Sequence, residues 1–210
     1  MALSGVAGSA PARAAALWVT DYGTSKVVRV GVDGSGLAGV LAGRPNLRGV
    51  AVDAEHGKLY WLEAGPNAIW RANLDGSGIE TVLDGLASSP YELALDPSGG
   101  KVYWTDYTGT VAIRRANLDG SGVEDLVLSG LAQPAGIALD LAAGKMLWAD
   151  YVLGTISRAN LDGSAVETLL TGLSQPRNLA IDRAAGVFYF TWGLGSVSYT
   201  HLTLPTSDLV

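Results

Sequence analysis

The segment Val102-Tyr-Trp-Thr-Asp106, followed by Arg115-Ala-Asn-Leu-Asp-Gly-Ser121, decides the fold, because both parts recur along the chain. Copies of the first part end in an acidic residue, at successive spacings of 42, 43 and 44 residues. These acids are Asp21, Glu63, Asp106 and Asp150. A degenerate fifth copy, Phe188-Tyr-Phe-Thr-Trp192, ends 42 residues after the fourth. A constant period of this length indicates a repeat architecture.

Each period contains four short strand candidates separated by turn residues. In the best-formed period they are residues 91–95, 101–105, 111–117 and 124–128. Asp119-Gly120 in the last connection favours a tight hairpin turn, because glycine adopts a positive φ without steric cost. Four antiparallel strands in a period of about 43 residues predict a β-propeller blade. The apolar period of 3.6 residues that a helical solenoid needs is absent from the sequence.

The repeat also predicts how the core is filled. A single blade has two sheet faces to cover, so it must pack against its neighbours. We expect the tryptophans at the centre of the second strand, Trp61, Trp104 and Trp148, to fill the gaps between blades. The first strand of each period carries a small residue in its middle, which suits the crowded axis of a propeller. These residues are Ala51, Ala94, Ala138 and Ala180.

The phased motifs resemble the YWTD repeat of the low-density lipoprotein receptor family (class B repeats), which forms six-bladed propellers. The resemblance extends from Leu17 to Trp192, and the sequence departs from the motif at Val19, Leu62 and Ala149. The resemblance implies an all-β fold, a partial (open) six-bladed β-propeller of four-stranded antiparallel blades. It also implies an extracellular or cell-surface location, although no signal peptide is evident in this chain.

The strand count divides the chain into three regions. We expect a flexible lead-in at 1–16, a YWTD-type propeller fragment of about four blades at 17–196, and a non-native tail at 197–210. Residues 197–206 resemble a translated sequencing adapter. A partial unit, three whole blades and half of another leave two of six blades absent. We expect the open blade edges to favour self-association.

Composition excludes several classes of function. The 210 residues include no cysteine, which rules out disulfides, thiol nucleophiles and cysteine-ligated metals. The net charge of −6 argues against a nucleic-acid partner, because phosphate binding needs clustered lysine and arginine. No apolar run approaches the roughly 20 residues of a membrane helix, so we predict no membrane insertion in this segment.

Four sequence patterns imitate catalytic or cofactor sites. Gly34–Gly39 matches the dinucleotide fingerprint but occupies a predicted hairpin turn rather than the start of a helix. Asn73–Asp84 imitates a calcium loop, yet flanking helices are not predicted. The strand-end acids recur in every blade, which favours a structural role over an active site. His56 lies in an inner hairpin turn and is expected to be solvated. We predict no catalytic residues, metal or cofactor.

The loops that break the repeat are the best candidates for binding, because loops on a rigid scaffold usually carry function. Tyrosine and arginine are residue types that anchor interfaces. The predicted protein-binding face consists of Tyr22, Arg48, Pro66, Asn67, Tyr91, Glu92, Tyr107, Tyr151, Arg177 and Asn178.

Three functions fit these patterns. The first is a non-catalytic module of a larger extracellular or cell-surface protein, with a protein ligand of unknown identity. The second is a fragment of a six-bladed propeller hydrolase of the lactonase or esterase kind, with a metal near the axis. Glu92 and Asn178 occupy equivalent near-axis positions, where the other copies have Gly49 and Gly136. The third is a purely structural repeat.

Overall fold

The computed structural model describes residues 16–192, which form β-strands and turns only. Within this range no helix is long and apolar enough to cross a membrane. The predicted lead-in and tail lie outside the described residues, except that Ala16 already belongs to the first strand. The expected all-β class is therefore confirmed.

Five antiparallel sheets follow one another along the chain. Blade 1 contains β1 (Ala16–Asp21), β2 (Lys26–Gly31) and β3 (Ala38–Ala42). Blade 2 contains β4 (Leu47–Asp53), β5 (Lys58–Glu63), β6 (Ala68–Asn73) and β7 (Glu80–Leu83). Blade 3 contains β8 (Ser89–Asp96), β9 (Lys101–Thr108), β10 (Ala112–Asn117) and β11 (Glu124–Val127). Blade 4 contains β12 (Pro134–Asp140), β13 (Lys145–Asp150), β14 (Thr155–Asn160) and β15 (Glu167–Leu170). Blade 5 contains β16 (Pro176–Asp182) and β17 (Val187–Trp192). The described residues thus form an open propeller, as predicted.

The blades pack face to face through their tryptophans. Trp61 lies in the cluster between blades 1 and 2, Trp104 between blades 2 and 3, and Trp148 between blades 3 and 4. Each is at most 2% exposed. Alternate residues of a strand point to opposite faces, so one strand serves two interfaces. In β5, Trp61 faces blade 1 whereas Tyr60 and Leu62 face blade 3. The predicted role of the tryptophans is confirmed.

The Asp-Gly turns pack closely against the preceding blade. In blade 3 the Ser121 N–H donates to Asp119 Oδ1 at 2.9 Å, which closes the turn. Gly120 has a φ of +88° and lies so close to blade 2 that an added Cβ would be 1.9 Å from the Val82 carbonyl oxygen. Gly76 and Gly163 make the same approach to Val40 and Leu126. A side chain at these positions would push neighbouring blades apart.

A β-bulge interrupts the innermost strand of blades 2, 3, 4 and 5. In β8, Pro90 pairs with Asp106 and Leu93 pairs with Trp104, so two residues oppose one. The same register shift occurs in β4, β12 and β16. Bulges redirect side chains away from the regular pleat. The bulged pairs are Arg48-Gly49, Tyr91-Glu92, Ala135-Gly136 and Arg177-Asn178.

Candidate functional site

Two structural features bring candidate residues to one end of the blades. The bulges supply Arg48, Tyr91 and Arg177 from the inner strands. The position after the strand-end acid of the second strand supplies a tyrosine in three blades. These are Tyr22, Tyr107 and Tyr151. Because the bulge in the first strand lies opposite the end of the second strand, both sets of side chains lie at the same end of the blade.

Six of these side chains form a continuous row, which we call the tyrosine–arginine row: Tyr22, Arg48, Tyr91, Tyr107, Tyr151 and Arg177. The Arg48 guanidinium carbon lies 5.5 Å from the Tyr22 ring centre and 5.3 Å from the Tyr91 ring centre. The Tyr91 and Tyr107 rings stack with centroids 4.9 Å apart. Such contacts are favourable for aromatic pairs and for cations over rings.

The row continues into blade 4 through Tyr151, and its last member, Arg177, contacts Tyr91 in the middle of the row. The Tyr107 and Tyr151 rings meet edge to face, with centroids 6.1 Å apart. The Arg177 guanidinium carbon lies 4.8 Å from the Tyr151 ring centre, and Arg177 Nη1 donates to the Tyr91 hydroxyl at 3.5 Å. Burial raises the pKa of Tyr107. The row therefore combines four tyrosine rings with two guanidinium groups.

A cleft of about 330 Å³ opens beside Arg48. Glu92 and Asn178 line it together with Tyr22, Arg48 and Tyr91. Glu92 is half-buried, and Gly49 lies so close that an added Cβ would be 2.1 Å from Glu92 Oε1. Burial raises the pKa of the Glu92 carboxyl to about 7, although the Leu93 N–H donates to Oε1 at 3.2 Å. Near neutral pH the cleft thus contains a carboxyl that is only partly ionised.

The raised pKa of Glu92 makes stability depend on pH. The folded-state pKa of about 7 exceeds the ordinary value of 4.5, so the folded state binds this proton more tightly than the unfolded state. This contribution is complete below the ordinary pKa and is lost as the pH rises through 7. We expect Glu92→Gln to raise the free energy of unfolding at pH 8 by about 1–2 kcal/mol, and to change it little at pH 5. Urea denaturation at both pH values measures this.

Glu80 provides the control for that measurement. It is exposed on the outer edge of blade 2, and its hydrogen bond with Arg71 lowers the pKa of its carboxyl. Glu80→Gln is therefore expected to give no stabilisation at pH 8. Equal responses of the two variants to pH would contradict the assignment of the pH dependence to Glu92.

Both arginines of the row are without an acidic partner among residues 16–192. Carboxylates lie within ion-pair distance of Arg44, Arg71, Arg114, Arg115, Arg158 and Arg183. Arg48 and Arg177 instead contact tyrosines, and Arg48 Nε is buried with no hydrogen-bond partner in the described part of the chain. This distinguishes the row from the ion pairs that hold the blades together.

Pro66 and Asn67 take no part in the ring contacts of the row. They lie in the β5–β6 hairpin, where Pro66 is exposed. Asn67 adopts a φ of +51°, and its carbonyl accepts a hydrogen bond from the Leu86 N–H at 3.0 Å. Blade 2 has Ala64 at the position of the row's second-strand tyrosines. No contact of Pro66 or Asn67 with the row is found among residues 16–192, so their place in the binding face stays a prediction.

The strand-end acids have different structural partners in different blades. Glu63 accepts hydrogen bonds from Trp61 Nε1 at 2.9 Å and from Arg44, a residue of the loop between blades 1 and 2. Asp106 pairs with Arg114 of its own blade, and burial raises the pKa of Asp106 to about 6. Asp150 accepts backbone N–H groups from the loop that precedes blade 4 and from the turn after its own strand. Each of these three acids thus has a structural partner.

The other patterns that imitate sites have local explanations. In the calcium-loop imitation Asp75 closes its turn, and hydrogen bonds from Ser77 lower the pKa of its carboxyl. His56 is about half exposed, as expected, but its Nδ1 also lies 2.8 Å from Oδ2 of the buried Asp53. Within residues 16–192 no group of three or more histidine, aspartate or glutamate side chains is placed to hold a metal ion. Near the axis, Glu92 is accompanied in the cleft by the amide of Asn178.

Comparison with known sequences finds receptor proteins. Over 116 residues the chain is 31% identical to low-density lipoprotein receptor-related protein 1 of Pyricularia oryzae, covering 45% of this chain and 37% of that protein. Over 101 residues it is 29% identical to vitellogenin receptor Yl of Drosophila melanogaster, covering 46% of this chain and 5% of the receptor. No protein-family model matches the chain. The chain thus spans only part of the length of these relatives.

Comparison with solved structures finds propellers. The nidogen/laminin complex contains a chain that superposes with a TM-score of 0.75 at 26% identity, covering 83% of this chain and 68% of that one. A putative gluconolactonase superposes with a TM-score of 0.70 at 18% identity, covering 86% of this chain and 68% of that one. The second match shows the shared fold alone. Together the comparisons confirm the resemblance to YWTD-repeat propellers.

Proposed function

We propose that this set of YWTD-type propeller blades is a non-catalytic protein-binding module, and that the tyrosine–arginine row is its contact surface. The observation that carries the proposal is the unbroken series of ring and cation contacts through Tyr91 and Tyr107, built from separate blades. Tyrosine provides a large contact area with few rotatable bonds, and tyrosine and arginine are both enriched where interfaces gain most of their energy.

The relatives support this proposal. Two are named receptors, and one structural neighbour was solved in a complex with laminin. We therefore propose that the module acts at the cell surface or outside the cell, as part of a larger protein. The hydrolase alternative is less well supported, because the gluconolactonase match shows the fold alone and Glu92 is the sole carboxylate lining the described cleft.

A displayed library of random dodecapeptides, selected on the immobilised chain, tests the proposal. We expect Tyr107→Ala to weaken the selected peptides at least tenfold, because this ring joins Tyr91 to Tyr151 in the middle of the row. Leu128→Ala is the control, since Leu128 is 58% exposed after the outer strand β11, away from the row. Fluorescence anisotropy of labelled synthetic peptides gives the dissociation constants.

The two variants separate the outcomes clearly. A tenfold loss with Tyr107→Ala and no loss with Leu128→Ala supports the row as the contact surface. Peptides that bind both variants as tightly as the parent chain, or that lose affinity only with Leu128→Ala, would contradict it.

A further inference from the structure

The charge distribution of the row indicates what kind of partner it binds, and this inference rests on the proposed function. The chain as a whole is acidic, with a net charge of −6. Around Tyr91, however, Arg48 contacts the ring and Arg177 donates to the hydroxyl, so two like charges approach one side chain. Neither arginine has a carboxylate within ion-pair distance among residues 16–192.

Within residues 16–192, the ring contacts of Arg48 leave its hydrogen-bond donors unused. A guanidinium carries five N–H donors in one plane, whereas the rings of Tyr22 and Tyr91 offer it only π faces. Arg48 Nε is buried without a partner in the described part of the chain. Arg48 also lines the open cleft, where an acceptor from outside can reach it. The group that suits this geometry best is a carboxylate, which pairs with arginine through two parallel hydrogen bonds.

Glu92 does not fill this role. The Glu92 carboxylate accepts a hydrogen bond from the N–H of the next residue, Leu93, and lies against Gly49. It forms no ion pair with Arg48. Arg48 therefore stays available, while Glu92 lines the same cleft as a second acidic group.

We propose that the partner of the tyrosine–arginine row is an acidic peptide segment. One aspartate or glutamate side chain of this segment enters the cleft and pairs with Arg48. A second acidic side chain is attracted by Arg177, and the apolar part of the segment covers the rings of Tyr107 and Tyr151. A protein partner is favoured over a nucleic acid, because binding a phosphate backbone needs a larger cluster of lysine and arginine than the two arginines of the row.

The cleft also gives this recognition a pH dependence of defined sign. The titratable or charged groups that line it with Glu92 are Tyr22 of the loop after β1, Arg48 of β4 and Tyr91 of β8. Glu92 changes charge between pH 6 and 8, since burial raises its pKa to about 7. Its ionisation repels an incoming carboxylate, so the affinity for acidic peptides should fall as the pH rises.

The test uses the full chain and the same random-dodecapeptide library, selected at pH 6.5. We expect peptides that depend on Tyr107 to be enriched in aspartate and glutamate several-fold over the starting library. We expect Arg48→Gln to weaken them at least tenfold, and replacement of their acidic residues by amides to do the same. Arg158→Gln is the control, because Arg158 pairs with Glu167 on the outer part of blade 4.

A second measurement does not depend on altering Arg48. The dissociation constant of one acidic peptide is measured from pH 6 to 8, with the parent chain and with Glu92→Gln. We expect a rise of about fivefold or more for the parent chain, and a flat profile for Glu92→Gln.

The outcomes separate this inference from the proposed function. Peptides that depend on Tyr107 but show no acidic enrichment, or that are unaffected by Arg48→Gln, would overturn the acidic partner and leave the protein-binding surface intact. Tighter binding of a ten-nucleotide oligothymidylate than of any acidic peptide would also overturn it. If none of the selected peptides depends on Tyr107, both proposals fail.

Discussion

Gly120→Ala is expected to destabilise the protein by about 2–5 kcal/mol. Two costs add at this position. A φ of +88° costs an alanine about 1–2 kcal/mol. The new Cβ would also lie 1.9 Å from the Val82 carbonyl oxygen of the preceding blade, so blades 2 and 3 must separate to admit it. Overpacking of this kind costs a further 1–3 kcal/mol or so. The midpoint of urea denaturation, followed by tryptophan fluorescence, measures the loss.

Gly100→Ala is the matched control in the same blade. Gly100 has a φ of +68°, but no atom lies within 4 Å of its added Cβ. It therefore carries the backbone cost alone, about 1–2 kcal/mol. The difference between the two variants isolates the close approach of one blade to the next. Equal losses would show that the Asp-Gly turn does not lock the blades together.

Trp104→Ala is expected to cost about 3–5 kcal/mol. The Trp104 side chain is completely buried between blades 2 and 3, where it packs against Tyr60, Leu62 and Leu93. Removal of the ring leaves a cavity at the interface that positions Arg48 of blade 2 against Tyr91 of blade 3. We therefore expect weaker binding at the tyrosine–arginine row as well as lower stability.

Trp70→Ala provides the comparison for Trp104→Ala. Trp70 is only half-buried, and its ring centre lies 4.6 Å from the Arg44 guanidinium carbon. The expected loss is about 1–2 kcal/mol. A larger loss for Trp70→Ala than for Trp104→Ala, in urea denaturation of both variants, would be inconsistent with tryptophan wedges as the main contact between blades.

The repeat made most of the fold predictable. Because Trp61, Trp104 and Trp148 recur at the same point of each period, their burial between blades could be inferred before any contact was known. The four strands of blade 3 were placed to within a few residues at each end. Repetition works in this way since each blade meets nearly the same environment as the one before it.

The site was only partly predictable. The binding face predicted from the sequence includes every member of the tyrosine–arginine row, but the sequence does not reveal the bulges that bring Tyr91 and Arg177 beside residues of other strands. Ring contacts such as that between Tyr91 and Tyr107 depend on this redirection. The signal available in the sequence was the tyrosine that follows the strand-end acid in three blades.

The sequence also did not predict the side-chain contacts that differ from one blade to the next. Arg44 pairs with Glu63 and lies over the rings of Trp61 and Trp70, so it joins blades 1 and 2. Asp150, at the position of Glu63, is instead capped by backbone N–H groups. A periodic pattern identifies equivalent positions, whereas the partner at each position depends on local side chains.

A crystal structure of the chain bound to one selected acidic peptide tests the central claim most directly. The account predicts a peptide carboxylate about 3 Å from the Arg48 guanidinium, with the peptide lying across the rings of Tyr91 and Tyr107. A peptide bound along the outer strands β7 and β11, or at the opposite end of the blades with the cleft empty, would contradict it.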